Sequence, residues 1–127
     1  MSLLDKLLPK KHAIVHREMP SWEEIVAHMQ GKELSFFADT IVRVMDSKDH
    51  TQRVIILRSE HGYYKTVHEK IRVWDEDEWN YCCSDPDRYP AYWEPVDSSI
   101  NTKSFYGTED DALKAITASY EYEMYFT

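Results

Sequence analysis

RVIILRSEHGYYKTVHEKIRVW, residues Arg53 to Trp74, decides the architecture of this chain. Val and Ile crowd the run from Arg53 to Ser59, and β-branched side chains suit a pleated, packed surface. His61-Gly62 predicts a tight turn, with glycine supplying the positive φ that such turns need. Beyond it, Val67, Ile71 and Val73 lie on one side of a second run, and Tyr64, Thr66, His68, Lys70 and Arg72 on the other. A period of two places alternate residues on opposite faces of a strand. Two such runs joined by a short turn predict an antiparallel hairpin.

The pattern extends in both directions. Upstream, Phe36, Ala38, Thr40, Val42 and Val44 alternate with Phe37, Asp39, Ile41, Arg43 and Met45, and the polar run Asp46 to Gln52 predicts a turn. Downstream, Glu78 to Cys83 is expected as a fourth strand with Trp79, Tyr81 and Cys83 on one face. Ser84 to Pro90 is a loop by its Pro and Asp content. Ala91 to Val96 is expected as a fifth strand, which Pro95 confines to an edge or an end.

Helices flank this meander. Ser21 with Glu24 forms a capping box, Trp22, Ile25, Val26 and Met29 share one face, and Gly31 suits the left-handed position that ends a helix. Thr108 opens a second helix whose first turn holds Glu109, Asp110 and Asp111, where the helix dipole favours negative charge. Leu113, Ile116 and Tyr120 line its apolar face, and it is expected to run to about Glu123. The expected fold class is α+β: an antiparallel four- to five-stranded meander sheet, with an N-terminal-side helix and a C-terminal helix packed on one face.

A chain of 127 residues reads as a single domain, 1–127, able to bury a core without covalent staples. Residues 1–10 read as a short amphipathic leader stopped at Pro9. They do not fit a signal peptide, because Asp5 and Lys6 break the apolar part and the positive charges follow it. No apolar run reaches the length of a membrane span. The adjacent Cys82 and Cys83 are the only cysteines, which predicts no disulfide framework and a reducing, cytoplasmic setting.

Charge is strongly partitioned. Residues 74–97 carry eight carboxylates against Arg88 alone, net −7 of a chain total of −8. Residues 41–73 carry seven bases and four acids, net +3. The acidic stretch also contains Trp74, Trp79, Tyr81, Tyr89, Tyr92 and Trp93. Carboxylates steer a cationic partner, and Trp and Tyr dominate interface hot spots. The favoured expectation is therefore a non-enzymatic protein-binding module, immunity- or inhibitor-like, for a basic partner. Trp79, Tyr89, Tyr92 and Trp93 would anchor the contact, and Asp75, Glu76, Asp77, Asp85 and Asp87 would steer it. Set against this is the plain expectation that the rings are core and the acids a solvated turn.

An alternative expectation is contact with nucleic acid through Lys65, Lys70, Arg72 and Trp74, since single strands favour a positive groove with stacking rings. The sequence pI of about 5.2 weighs against it. Self-association of the basic row with the acidic segment of a second copy, and a small-molecule pocket between sheet and helix, complete the options. No Gly-rich phosphate loop, Gly-x-Ser-x-Gly or His-Glu-x-x-His motif is present, and no nucleophile stands beside a base. The six histidines lack metal-ligand spacing. No enzyme, cofactor or metal is expected.

Overall fold

The computed structural model describes residues 18–75, 77, 79, 88–101 and 105–127. Its sheet is an antiparallel meander of four strands in the order β1-β2-β3-β4: β1 Thr40–Asp46, β2 Gln52–Arg58, β3 Tyr64–Val73 and β4 Ala91–Pro95. Helix α1, Trp22–Met29, precedes it, and α2, Glu109–Thr117, and α3, Tyr120–Tyr125, follow it. The hairpin of β2 and β3 is as expected, with Val54 opposite His68 and Arg58 opposite Tyr64. Gly62 closes it at φ 85. In the β1–β2 turn, Asp49 Oδ1 accepts from Ser47 Oγ at 2.9 Å, Thr51 N at 3.1 Å and Thr51 Oγ1 at 2.7 Å.

Three expectations about the strands differ from the structure. The alternation before Thr40 is not strand: Leu34–Phe36 form a 3₁₀ turn. The β1 register slips between Ile41 and Arg43. Val42 is thus the extra residue of a bulge, which lets Val42 and Met45 reach the same cluster. Trp79 has helical backbone, its N–H bonded to Asp75 O at 2.8 Å, so it does not begin a strand. Residues 80–83 of that expected strand lie outside the described residues, as does the 1–10 leader.

The expected helix caps are in place. Glu24 N donates to Ser21 Oγ at 3.2 Å and Asp111 N to Thr108 Oγ1 at 3.0 Å. Thr108→Ala is expected to cost about 1 kcal/mol in urea unfolding. The C-terminal helix, however, does not continue to Glu123. Ser119 starts a new one: its hydroxyl accepts from Tyr122 N at 3.2 Å and donates to Ile116 O, so a single side chain both ends α2 and caps α3.

The helices divide between the two faces of the sheet, where the sequence pattern suggested one. Ile25 and Met29 of α1 pack with Ile71, Ala91 and Trp93. Ala112 and Ile116 of α2 pack with Val54, Ile56 and Ile100, and Tyr122 and Phe126 flank that cluster. Val54 pairs with His68, and His68 and Ile71 are three residues apart on an unbroken strand, so the two clusters lie on opposite sides. The β2 residues Val54, Ile55 and Ile56 are fully buried, which explains a near-continuous apolar run there. Each such side chain contributes about 1.5–3 kcal/mol of transfer free energy.

The covering of both faces also buries polar groups. Arg53 is 1 % exposed and Glu69, its cross-strand neighbour, 7 %. Arg53 Nε donates to Glu69 Oε1 at 2.9 Å and Nη1 to Lys32 O at 2.7 Å. Nη2 lies 2.9 Å from the same Oε1, an ion-pair contact without hydrogen-bond alignment. The guanidinium carbon sits 4.1 Å from the centroid of the Trp93 ring. Burial pushes the Glu69 carboxyl up from the ordinary range, and Arg53 pulls it back.

Candidate functional site

The acidic, aromatic stretch is split by the fold. Trp79 is 2 % and Trp93 5 % exposed, so both expected anchors are interior. Trp93 faces the core because Ile71 opposite it does, and its indole N–H donates to Met29 O at 2.9 Å. Its backbone N–H meets Glu33 Oε2 at 3.3 Å. Trp93 therefore locks α1 to the sheet and shields Arg53. Tyr89 is half-buried and stacks on His28, with centroids 3.6 Å apart and planes 11° apart. Burial, then Glu24, raises its phenol above the usual range.

Other members of the stretch stay at the surface. Asp75 and Asp77 are exposed, and Asp75 Oδ1 accepts from Asp77 N at 2.9 Å. Tyr92 is half-buried, 5.7 Å from the Trp74 ring. Tyr92 pairs with Arg72, in the same alternation as His68, and so lies on the face that carries α2 and α3. Glu76, Asp85 and Asp87, expected to steer, lie outside the described residues.

The basic row is split as well. Tyr64, Thr66 and His68 were expected outward, but α2, α3 and the Val96–Asn101 loop cover them, and Thr66 and His68 are buried. Lys65 belongs to the opposite face, pairs with Asp39 at 2.9 Å and lies 5.7 Å from the Phe105 ring. Lys70 and Arg72 remain exposed, with Glu94 3.3 Å from Arg72. Trp74 joins them, under the Arg88 guanidinium at 5.1 Å. Arg88 and Tyr92, read from the sequence as parts of an acidic segment, thus contribute to a cationic and aromatic corner.

A surface the sequence reading missed is α3. Tyr122 and Phe126, four apart, turn inward and stack with centroids 5.9 Å apart. The other side presents Tyr120 at 67 %, Met124 at 44 % and Tyr125 at 40 % exposure, with Glu123 exposed among them. The signal was available: Ser-Tyr-Glu-Tyr-Glu-Met-Tyr-Phe, residues 119–126, repeats the ring-and-carboxylate mixture of 74–97. No helix breaker separates this segment from α2, so its own apolar face is not evident from the sequence pattern. Glu123 is exposed on this side of α3, and Glu121 beside it accepts from Ser99.

Beneath α3 lies a polar network centred on His68. His68 is fully buried, with Nε2 2.7 Å from Gln52 Oε1 and Nδ1 2.8 Å from Ser98 Oγ. The Phe126 ring meets it edge-on at 5.8 Å. With the amide oxygen of Gln52 facing the ring, Nε2 carries the proton and Nδ1 accepts from Ser98. The neutral imidazole is thereby fully satisfied. Burial pushes its pKa below 6.5, and Glu121 and Lys70 act in opposite directions on it.

Among the described residues, no group of three or more His, Cys, Asp or Glu side chains could hold a metal ion. Also among the described residues, no helix is long and apolar enough to cross a membrane. No family model, no curated protein and no solved structure matches this chain.

Proposed function

We propose that this chain is a non-enzymatic protein-binding module that receives a basic partner on an acidic, aromatic surface. The observation that carries this is the outward side of α3, where Tyr120, Met124 and Tyr125 stand exposed among carboxylates instead of being folded inward with Tyr122 and Phe126. Large exposed rings grouped with charge favour contact over simple solvation. Asp75, Asp77 and the half-buried Tyr92 extend the same chemistry from the 74–97 stretch. Trp79 and Trp93 are interior and take no part in this surface.

The test is fluorescence anisotropy with a labelled Arg- and Tyr-rich peptide. Binding is expected at low ionic strength and is expected to weaken as the Debye length shrinks from about 30 Å to about 3 Å. The joint replacement Tyr120→Ala and Met124→Ala is expected to weaken it by about tenfold or more, as hot-spot truncations do. Binding that ignores the loss of the ring and thioether would reduce the effect to net charge and sink the proposal.

Lys70, Arg72 and Trp74 favour a second function, because they share one face and are joined there by Arg88 and Tyr92. Cations beside rings suit single-stranded nucleic acid. Glu94 offsets Arg72 and limits the attraction. A filter-binding assay with a single-stranded oligonucleotide at low salt that retains nothing removes this alternative.

A further inference from the structure

We propose that His68 is a proton-operated latch that holds α3 and the Val96–Asn101 loop against the sheet, and so makes presentation of the α3 surface depend on pH. This rests on α3 being the docking surface only for its biological consequence; the latch itself is a property of the isolated chain.

The loop is fastened to β3 by polar groups around His68 and anchored by Ile100, which is buried with Val54, Ile56, Ala112 and Ile116. Val96 N donates to His68 O at 2.8 Å, Asn101 Nδ2 to the same oxygen at 3.1 Å and to Val96 O at 3.1 Å. Ser98 binds the imidazole, and Thr66 Oγ1 donates to Ile100 O. The next residue along, Ser99, binds α3: its backbone N–H meets Glu121 Oε1 at 3.3 Å and its hydroxyl donates to Glu121 Oε2 at 2.7 Å. Imidazole, loop and helix thus form one chain of contacts, closed from above by Phe126.

A second proton breaks its accounting. It must go to Nδ1, turning that acceptor into a donor facing the Ser98 hydroxyl, which must then reverse and give up its own donated bond. The new charge sits in a fully buried pocket, where an ion is costly unless paired. Among the described residues, α2 brings apolar Ala112 and Ile116 to this face, against Val54 opposite His68. β2 presents neutral Gln52, β3 presents Lys70, the loop presents neutral Ser98, and α3 presents Glu121 with Phe126. Lys70 opposes the charge and Glu121 favours it, but Glu121 is engaged by Ser99.

The cover yields before the floor. β2 and β3 are central strands with a continuous ladder. By contrast α3 has six residues, none of them fully buried, and its ties are Glu121 to Ser99, Tyr125 O to Lys48 N at 3.0 Å, and the Tyr122–Phe126 pair. Elements with few buried contacts open at the lowest free energy. Release exposes His68 to water, where its ordinary affinity for a proton returns.

The sign follows from linkage. The folded state binds the proton less readily than the unfolded or opened state, whose value is about 6.5. As pH falls through 6.5 the opened state holds more protons and gains weight. The loss of latching stops once pH lies below the folded value.

Amide hydrogen exchange read by mass spectrometry, at about pH 7.5 and about pH 5.5 and corrected for intrinsic rates, tests this without any partner. Peptides covering 96–101 and 120–127 are expected to lose protection at the lower pH while β2 and β3 keep theirs. In His68→Gln that difference should vanish. In Glu121→Gln, which leaves an amide oxygen to accept from Ser99, the loss of protection at the lower pH should be larger than in the wild-type chain, because the folded state has lost the charge that favours the imidazolium. Unchanged protection in the wild-type chain, loss from all elements together, or a Glu121→Gln profile that does not move would each overturn the latch. The peptide-binding assay stands apart from these readouts, so failure of the docking surface and failure of the latch are separable.

Discussion

Replacing Glu69 by alanine is expected to destabilise the fold by about 3–5 kcal/mol. The reason is what remains. Arg53 would stay 1 % exposed, with its Nη1 bond to Lys32 O but without the carboxylate that now meets both Nε and Nη2. An unpaired buried cation costs far more than a lost hydrogen bond. The joint replacement Arg53→Met and Glu69→Leu is expected to recover most of the loss, or to exceed wild type, since a buried ion pair commonly only balances its desolvation. Urea unfolding of the three variants checks this. A single variant within 1 kcal/mol of wild type would show that water reaches Arg53 and that the pair is not dry.

Trp93→Ala is expected to cost about 3–5 kcal/mol. Three effects coincide at this ring. It fills the cluster with Ile25, Met29, Ile71 and Ala91, its N–H satisfies Met29 O at the end of α1, and its face covers the Arg53 guanidinium. Trp93→Phe keeps an aromatic ring but loses the N–H donor and part of the indole's volume, so a smaller cost of about 1–3 kcal/mol is expected. The same urea experiment reports both. An alanine variant as stable as the phenylalanine variant would mean the indole adds only its N–H, and that α1 docks without it.

These two residues also measure how much the sequence revealed. The β2–β3 hairpin, the Ser21 and Thr108 caps and the strand at Ala91 were legible, because each depends on neighbours within a few residues. Trp93 was not. Its position among carboxylates suggests a surface anchor, but its side is set by strand parity through Ile71, which in turn depends on where α1 lands. Lys65 was misplaced for the same reason, since one residue of offset from Lys70 and Arg72 sends it to the opposite face. The tail was legible only in part. Ser119 is a competent cap, yet without knowing that Tyr122 and Phe126 have a core to enter, helix continuation looks equally good. The burial of Thr66 and His68 could not be read at all. An alternating strand shows one apolar side, and only the return of α2, α3 and the Val96–Asn101 loop made the other side interior too.

The amino-acid order by itself determined the local elements, their approximate ends and the separation of charge along the chain, because propensity, capping and period act over one or two turns. The tertiary structure alone decided which face each helix covers, which rings stay wet and which polar groups are enclosed. Those outcomes come from contacts between residues tens of positions apart, where the free energy of burying a whole face outweighs the preference of any single side chain for water.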